Sequence, residues 1–278
     1  MFYSPLRYPG GKGKILSFMI DLIKLNKLQN IEYVEPYAGG AAVALGLLLN
    51  GFINKIHIND SDKAIHAFWY SILNYTEQFI EKIISTPVTV EEWRNQKNIY
   101  NNIDNYSILE VGFSAFFLNR CNRSGVLKGG LIGGYEQKGN WKIDARFNKQ
   151  DLIKRIEKIA LYKDKIELYN EDTAELLENN KEVFKNCILY LDPPYYEKGY
   201  QLYKNHYKPS DHAKISELVK ELNCYWVVSY DNVKPIVALY KDIKKREFNI
   251  SYSAGKNRLG NEVMFFSKNL KVPKREIC

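Results

Sequence analysis

The sequence predicts an α/β fold: a parallel sheet interrupted by a mostly helical insert that bears a Gly-rich, basic β-hairpin. Two observations predict it. Residues 31–60 run as a short apolar stretch, a Gly-rich turn, an apolar helical stretch and a second apolar stretch, which is the pattern of a βαβ unit. A second group of short apolar runs, several closed by acidic or polar residues, begins after residue 148, beyond a long region of helical character.

Taken in order, Arg7-Tyr8-Pro9-Gly10-Gly11-Lys12-Gly13-Lys14 is a Gly-rich loop. Ile15, Phe18, Met19 and Leu22 then recur at helical spacing and predict a helix over 15–28. The run 31–35 predicts a strand and Pro36-Tyr37-Ala38-Gly39-Gly40 a turn. Residues 41–50 predict a buried helix ended by Gly51, and 55–58 a strand closed by Asn59-Asp60. Helix is expected over 62–84 and 90–118. Residues 125–141 change character: six glycines stand among Lys128, Tyr135, Lys138 and Trp141, so a loop or hairpin is expected, with Trp141 as its packing anchor. An amphipathic helix at 149–161 precedes a strand at 165–169, closed by Asn170-Glu171-Asp172. The strand 188–191 runs directly into Asp192-Pro193-Pro194-Tyr195, and 197–209 is a Tyr- and Lys-rich loop. Helix, strand and helix follow at 210–222, 225–229 and 233–239, then two last strands at 246–252 and 262–266.

Composition bounds the function classes. The chain has 278 residues, 45% of them apolar, enough for one large domain or a core with an insert. No apolar run reaches membrane-spanning length, and the N-terminus lacks the charged start and apolar stretch of a signal peptide, so a cytoplasmic location is expected. Cys121, Cys187, Cys224 and Cys278 are scattered without metal-ligand spacing; reduced thiols and no metal are expected. The formal charge of +8 suits a polyanionic partner, although an AT-rich coding sequence produces the same lysine excess.

In an open α/β sheet, ligands bind beyond the C-terminal ends of the strands. Glu35, Asp60 and Asp172 all stand at such ends. A Gly turn lets backbone amides approach a ligand, and an acidic residue after the second strand accepts ribose hydroxyls, which suits an adenosine-containing cofactor. An ordinary tight turn would look the same. Gly10-Gly11-Lys12-Gly13-Lys14 lacks P-loop spacing, which argues against ATP or GTP.

Asp192-Pro193-Pro194-Tyr195 is the sharpest signal. Its prolines donate no backbone hydrogen bonds and fix φ. The Asp192 carboxylate and the Pro193 carbonyl are then two acceptors facing a cleft, matched to the two hydrogens of an exocyclic amino group. Tyr195 offers a flat face for a base.

Those residues resemble the Dam-type (D12 class) N6-adenine DNA methyltransferase family. The matching blocks, in the family's order, are Pro5 to Lys12, Tyr33-Val34-Glu35-Pro36-Tyr37-Ala38-Gly39-Gly40, Asn59-Asp60 and Leu191 to Tyr195. Phe116-Phe117-Leu118-Asn119-Arg120 and the closing Asn261-Glu262-Val263 match as well. The resemblance implies a Rossmann-like S-adenosylmethionine-dependent methyltransferase sheet formed by 1–64 and 148–278, with 65–147 as the target-recognition unit. It implies cofactor roles for Tyr8, Lys12, Asp60 and Asp192, with Glu35 to Gly40, including Tyr37 and Gly39, lining the methionine end. Tyr37 stands where the family often has Phe, Ala41-Ala42 depart mildly, and Cys121-Asn122-Arg123-Ser124-Gly125 departs from its asparagine-glycine element.

The expected reaction is methyl transfer from S-adenosylmethionine to N6 of an adenine flipped out of duplex DNA. Asp192, Pro193 and Tyr195 carry the chemistry. Arg120, Arg123, Lys128, Tyr135 and Lys138 are the candidate DNA contacts, with a solvated loop charge as the bland reading of each cation. The enzyme is expected to act as a monomer, and a restriction endonuclease counterpart would suit it. The rivals are N4-cytosine methylation, methylation of RNA or a protein amide, and a non-catalytic DNA-binding regulator that keeps the fold.

Overall fold

The computed structural model describes residues 3–7, 15–28, 30–196, 207–252 and 258–277, apart from the side chains of 250–252, 258 and 259. The strands are β1 (Glu32–Glu35), β2 (Ile56–Asn59), β3 (Ile166–Tyr169), β4 (Cys187–Leu191), β5 (Tyr225–Asp231), β6 (Lys244–Tyr252) and β7 (Arg258–Phe266). The helices are α1 (Leu16–Leu25), α2 (Ala42–Leu49), α3 (Lys63–Asn74), α4 (Thr76–Ser85), α5 (Val90–Asn101), α6 (Ile108–Cys121), α7 (Lys149–Ala160), α8 (Thr173–Asn179), α9 (Pro209–Glu221) and α10 (Lys234–Leu239).

All seven strands form one sheet in the order β3-β2-β1-β4-β5-β7-β6. The first five pair in parallel, as expected. The sheet is nevertheless mixed, because β7 runs antiparallel to both β5 and β6. That corrects the expectation of a parallel sheet. The cause is the short link between β6 and β7, since a parallel return needs a crossover of about a dozen residues or more.

Strand side chains alternate between two apolar layers. Tyr33, Ile56, Ile58, Ile188, Tyr190, Val227 and Met264 face one, with α1, α3 and α6; Val34, Leu189, Leu191, Val228, Val263 and Phe265 face the other, with α8, α9 and α10. Seven of the eight residues of α2 are buried, so the helix shows no polar face.

The region 62–84 is two helices broken at Tyr75, and 90–118 is two helices separated by a 3-10 turn. The restart was written in Ser107 and Glu110, which form a reciprocal capping box at the start of α6. Phe68, Phe79, Phe113 and Phe116 pack ring on ring between α3, α4 and α6. They belong to the same buried cluster as the sheet residues Tyr33 and Ile188.

The expected β-hairpin in the insert is not formed. Residues 122–147 are a chain of turns held by one isolated bridge, Asn122 to Leu131, with Arg123 N donating to Gly130 O at 3.0 Å. Positive φ at Ser124, Gly125, Gly133, Gly134 and Gln137 breaks the extended geometry a strand requires. Gln137 fastens the turns through Ile132 O, Gly134 O and Ile143 N. Nor is Trp141 a packing anchor: it is 66% exposed, with the Arg146 guanidinium 5.6 Å from its ring.

Gly112 marks the closest approach of α6 to α3. A Cβ there would stand 2.4 Å from the Ala67 carbonyl oxygen and 2.8 Å from Ser71 Oγ. Alanine gains about 1 kcal/mol in helix propensity, but overpacking costs about 1–3 kcal/mol. Gly112→Ala is therefore expected to destabilise the fold by up to about 2 kcal/mol, read as a lower urea midpoint. A raised midpoint would show that α3 yields.

Candidate active site

The chain reverses its winding at β1, which has β2 on one side and β4 on the other. At such a switch point the strand ends splay and leave a crevice. Glu35 ends β1, Asp60 follows β2 and Asp192 follows β4, so three carboxyl groups from distant sequence positions meet at one edge. Asp172, three residues beyond β3, is exposed and caps α8, its Oδ1 accepting from Ala174 N at 2.9 Å.

The Gly turn is shaped by left-handed backbone at Gly39 (φ 47°) and Ala41 (φ 46°). Asp60 holds it, with Oδ2 accepting from Gly39 N and Oδ1 from Asp62 N, both at 2.9 Å. Glu35 Oε2 accepts from Ala44 N at 3.0 Å, at the start of α2. Burial, reinforced by the Asp192 charge and opposed by that hydrogen bond, pushes the Glu35 carboxyl up to about 8. Burial and the neighbouring Asp62 push Asp60 up to about 7. Among the described residues neither carboxyl has a Lys or Arg ion pair. The half-buried Tyr37 shares a hydroxyl–hydroxyl hydrogen bond with Tyr207 at 2.9 Å. Tyr8 and Lys12 lie outside the described residues.

The Asp192–Tyr195 segment is held from the far side. Ser229 Oγ donates to Asp192 Oδ1 at 2.7 Å and lies 2.9 Å from the Tyr190 hydroxyl. Pro193 is buried and Tyr195 is 8% exposed. The Tyr195 hydroxyl donates to Glu262 Oε1 at 2.9 Å, and Tyr196 N donates to Asp231 Oδ1 at 3.0 Å. His212 lies beneath, its Nδ1 3.0 Å from the Tyr230 hydroxyl and its ring against Tyr196 and Tyr207.

The insert touches this edge directly. Trp69 Nε1 donates to Gly39 O at 2.9 Å. The fully buried Asn119 clamps Arg7: its Oδ1 accepts from Arg7 N at 2.7 Å, and its Nδ2 donates to Arg7 O at 2.8 Å and to Gly125 O at 2.9 Å. Arg120 is engaged in structure, its Nε donating to Arg146 O at 2.6 Å. Burial, with Arg7 and Arg155 nearby, lowers it to about 10. Arg123 and Lys128 are exposed. Lys138 pairs with Glu136 at 2.6 Å. Tyr135 is 60% exposed, edge-on to Trp93, with the Arg94 guanidinium 5.8 Å from its ring.

Sequence reasoning missed Ser229, Asp231, Trp69 and the clamping use of Asn119, and it gave Glu262 no role. Signals existed for some. Ser229 ends the apolar run Tyr225-Trp226-Val227-Val228, and Asn119 ends the apolar run Ala115-Phe116-Phe117-Leu118. Among the described residues one group could hold a metal ion, Glu32, His57 and Cys187, near the opposite end of the sheet. There His57 Nε2 lies 2.5 Å from Glu32 Oε2, and Nδ1 lies 3.1 Å from the Tyr169 hydroxyl.

The carboxyl shifts have a measurable consequence. Glu35 moves from an ordinary 4.5 up to about 8, so the folded state binds more protons than the unfolded state between those values. Its contribution to stability is fully present below the unfolded value and is lost as pH rises through about 8. The Tm of the ligand-free protein is thus expected to decline between pH 5 and 8.5, and Glu35→Gln to decline less. Identical pH profiles would contradict the shift.

Comparison with known proteins identifies the family. Residues 8–257 match the family described as D12 class N6 adenine-specific DNA methyltransferase. Type II methyltransferase M.MjaIII from Methanocaldococcus jannaschii is 26% identical over 206 residues, which cover 68% of each chain. Among solved structures, a putative RNA methyltransferase from Pyrococcus horikoshii superposes with a TM-score of 0.44 at 12% identity, covering 91% of this chain and 82% of that one. An rRNA methyltransferase from Streptomyces viridochromogenes superposes with a TM-score of 0.39 at 10% identity, covering 90% and 83%. Superpositions this loose carry no argument about substrate. The family match does, since it spans the Gly turn, the acidic strand ends and the Asp192–Tyr195 segment: the chain belongs to the D12 class N6 adenine-specific DNA methyltransferases.

Proposed function

We propose that the crevice at the ends of β1, β2 and β4 binds S-adenosylmethionine and a flipped adenine side by side, with Asp192, Pro193 and Tyr195 orienting the base. Methylation of adenine N6 in DNA is the activity of the family to which the chain belongs. The observation that carries the residue assignment is the meeting of Glu35, Asp60 and Asp192 at one sheet edge, with Ser229 fixing Asp192.

The chemistry of the acceptor set suits that cofactor, which is cationic at sulfur and at its ammonium group and carries two ribose hydroxyls. Glu35 and Asp60 have no described cation beside them and supply acceptors, while Gly39 removes the Cβ that would block approach to the turn. Asp192, Tyr37 and, from the strand next to β2, Asp172 complete the proposed lining, with Tyr8 and Lys12 from the N-terminal loop. S-adenosylmethionine supplies an electrophilic methyl group on its sulfonium.

The protein's own part is orientation. Asp192 and the Pro193 carbonyl accept the two N6 hydrogens, which turns the nitrogen lone pair out of the base's conjugation. Tyr195 stacks against the base; being 8% exposed, it can do so only once its cover shifts. Burial of the site keeps water from competing for the same hydrogen bonds. No covalent enzyme intermediate is required. Residues 65–147 are proposed to recognise the target sequence. Arg123, Lys128 and Tyr135 are better exposed for this than Arg120, whose guanidinium is engaged by backbone carbonyls.

Asp192→Ala is expected to lower methyl transfer to unmethylated genomic DNA by at least about a hundredfold, with N6-methyladenine as the wild-type product. An active Asp192→Ala would overturn the mechanism, and labelled N4-methylcytosine the base assignment. If Arg123 and Lys128 each neutralise a phosphate, alanine at either should reduce the slope of log affinity against log salt by about 0.9. An unchanged slope would remove that residue from the DNA interface.

A further inference from the structure

We infer that Glu262 is a positioning residue that sets the plane of the Tyr195 ring, an inference that rests on the function proposed above. Tyr195 follows two prolines, so the two residues before it have no N–H with which to fix the backbone. Its ring is held at its far end. The hydroxyl donates to Glu262 Oε1 at 2.9 Å, and Glu262 is 0% exposed, so no water competes for the bond.

The register of the sheet shows what this bond is tied to. Glu262 on β7 stands opposite Asp231 on β5. Asp231 Oδ1 takes the N–H of Tyr196, the next residue of the same segment. Two residues earlier on β5, Ser229 donates to Asp192. The strand pair β5–β7 thus grips the segment at residues 192, 195 and 196. With both ends of Asp192–Tyr195 fixed to one rigid pair of strands, the separation between the Asp192 carboxylate and the Tyr195 ring is fixed too. That separation decides whether a base lying on the ring presents N6 to the Asp192 and Pro193 acceptors. Glu262 itself need touch neither base nor cofactor.

The test is steady-state methyl transfer from labelled S-adenosylmethionine to unmethylated genomic DNA. It compares wild type, Asp192→Ala, Tyr195→Phe, Glu262→Ala, Glu262→Gln and the Tyr195→Phe/Glu262→Ala double variant, with thermal unfolding to follow the fold. Tyr195→Phe and Glu262→Ala are each expected to lower kcat by about 10- to 100-fold. KM for S-adenosylmethionine should stay within about twofold, and the double variant should be no slower than the slower single one. Glu262→Gln keeps an acceptor oxygen and should recover most of the rate. Wild-type kcat in a folded Tyr195→Phe or Glu262→Ala, or losses that multiply in the double variant, would overturn the positioning role. Should Glu262→Ala fail to fold, Tyr195→Phe and Glu262→Gln decide the question. A wild type that transfers no methyl group overturns the functional reading and this inference with it. An active wild type beside an inactive Asp192→Ala and an unaltered Tyr195→Phe overturns this inference alone.

Discussion

The parallel pairing of β1 with β4 is the constraint from which the site follows. These strands are far apart in sequence, yet Glu32, Tyr33 and Val34 align with Cys187, Ile188 and Leu189. That register places Glu35 and Asp192 at neighbouring strand ends. The two carboxyl groups feel each other: the Asp192 charge adds to burial in raising Glu35. Buried carboxyl groups gathered at one edge cost stability on ionising unless a ligand compensates them. Such an arrangement suits the cationic cofactor proposed for it.

The antiparallel strand β7 completes what the parallel strands begin. Parallel strands deliver loops to one edge of the sheet, but they do not by themselves fix the loops' side chains. By entering between β5 and β6, β7 carries Glu262 up to the Asp192–Tyr195 segment from the side opposite the Gly turn. Ser229 and Asp231 on β5 act from the same side. The segment is therefore held by strands, whose geometry is stiffer than that of a loop.

The insert adds a third set of restraints. Its aromatic helices share a continuous buried cluster with the sheet, Trp69 bonds the Gly turn, and Asn119 grips the N-terminal segment at Arg7. Gly125, at φ 76°, lets Arg7 lie close, since a Cβ there would stand 2.4 Å from its carbonyl oxygen. Residues proposed to meet DNA and residues proposed to meet the cofactor are thus joined through packed side chains and backbone hydrogen bonds. Arg120 illustrates the consequence: a cation that suits a phosphate on paper is taken up by the carbonyls of this junction.

The sequence by itself determined the succession of the seven strands, most of the helical regions, the acidic strand ends and the Asp-Pro-Pro-Tyr segment. Each of these is local: apolar periodicity, a turn residue or a rigid dipeptide acts over a few neighbours and shows in the order of residues. It also carried the family, because several such blocks recur in a fixed order over most of the chain. Only the tertiary structure decided that β7 lies antiparallel beside β5, that 122–147 is a set of turns rather than a hairpin, and that Ser229 and Glu262 hold Asp192 and Tyr195. Those features depend on strand order, register and burial. They join residues 37 and 67 positions apart, and no local pattern reports which distant partner a buried polar group will find.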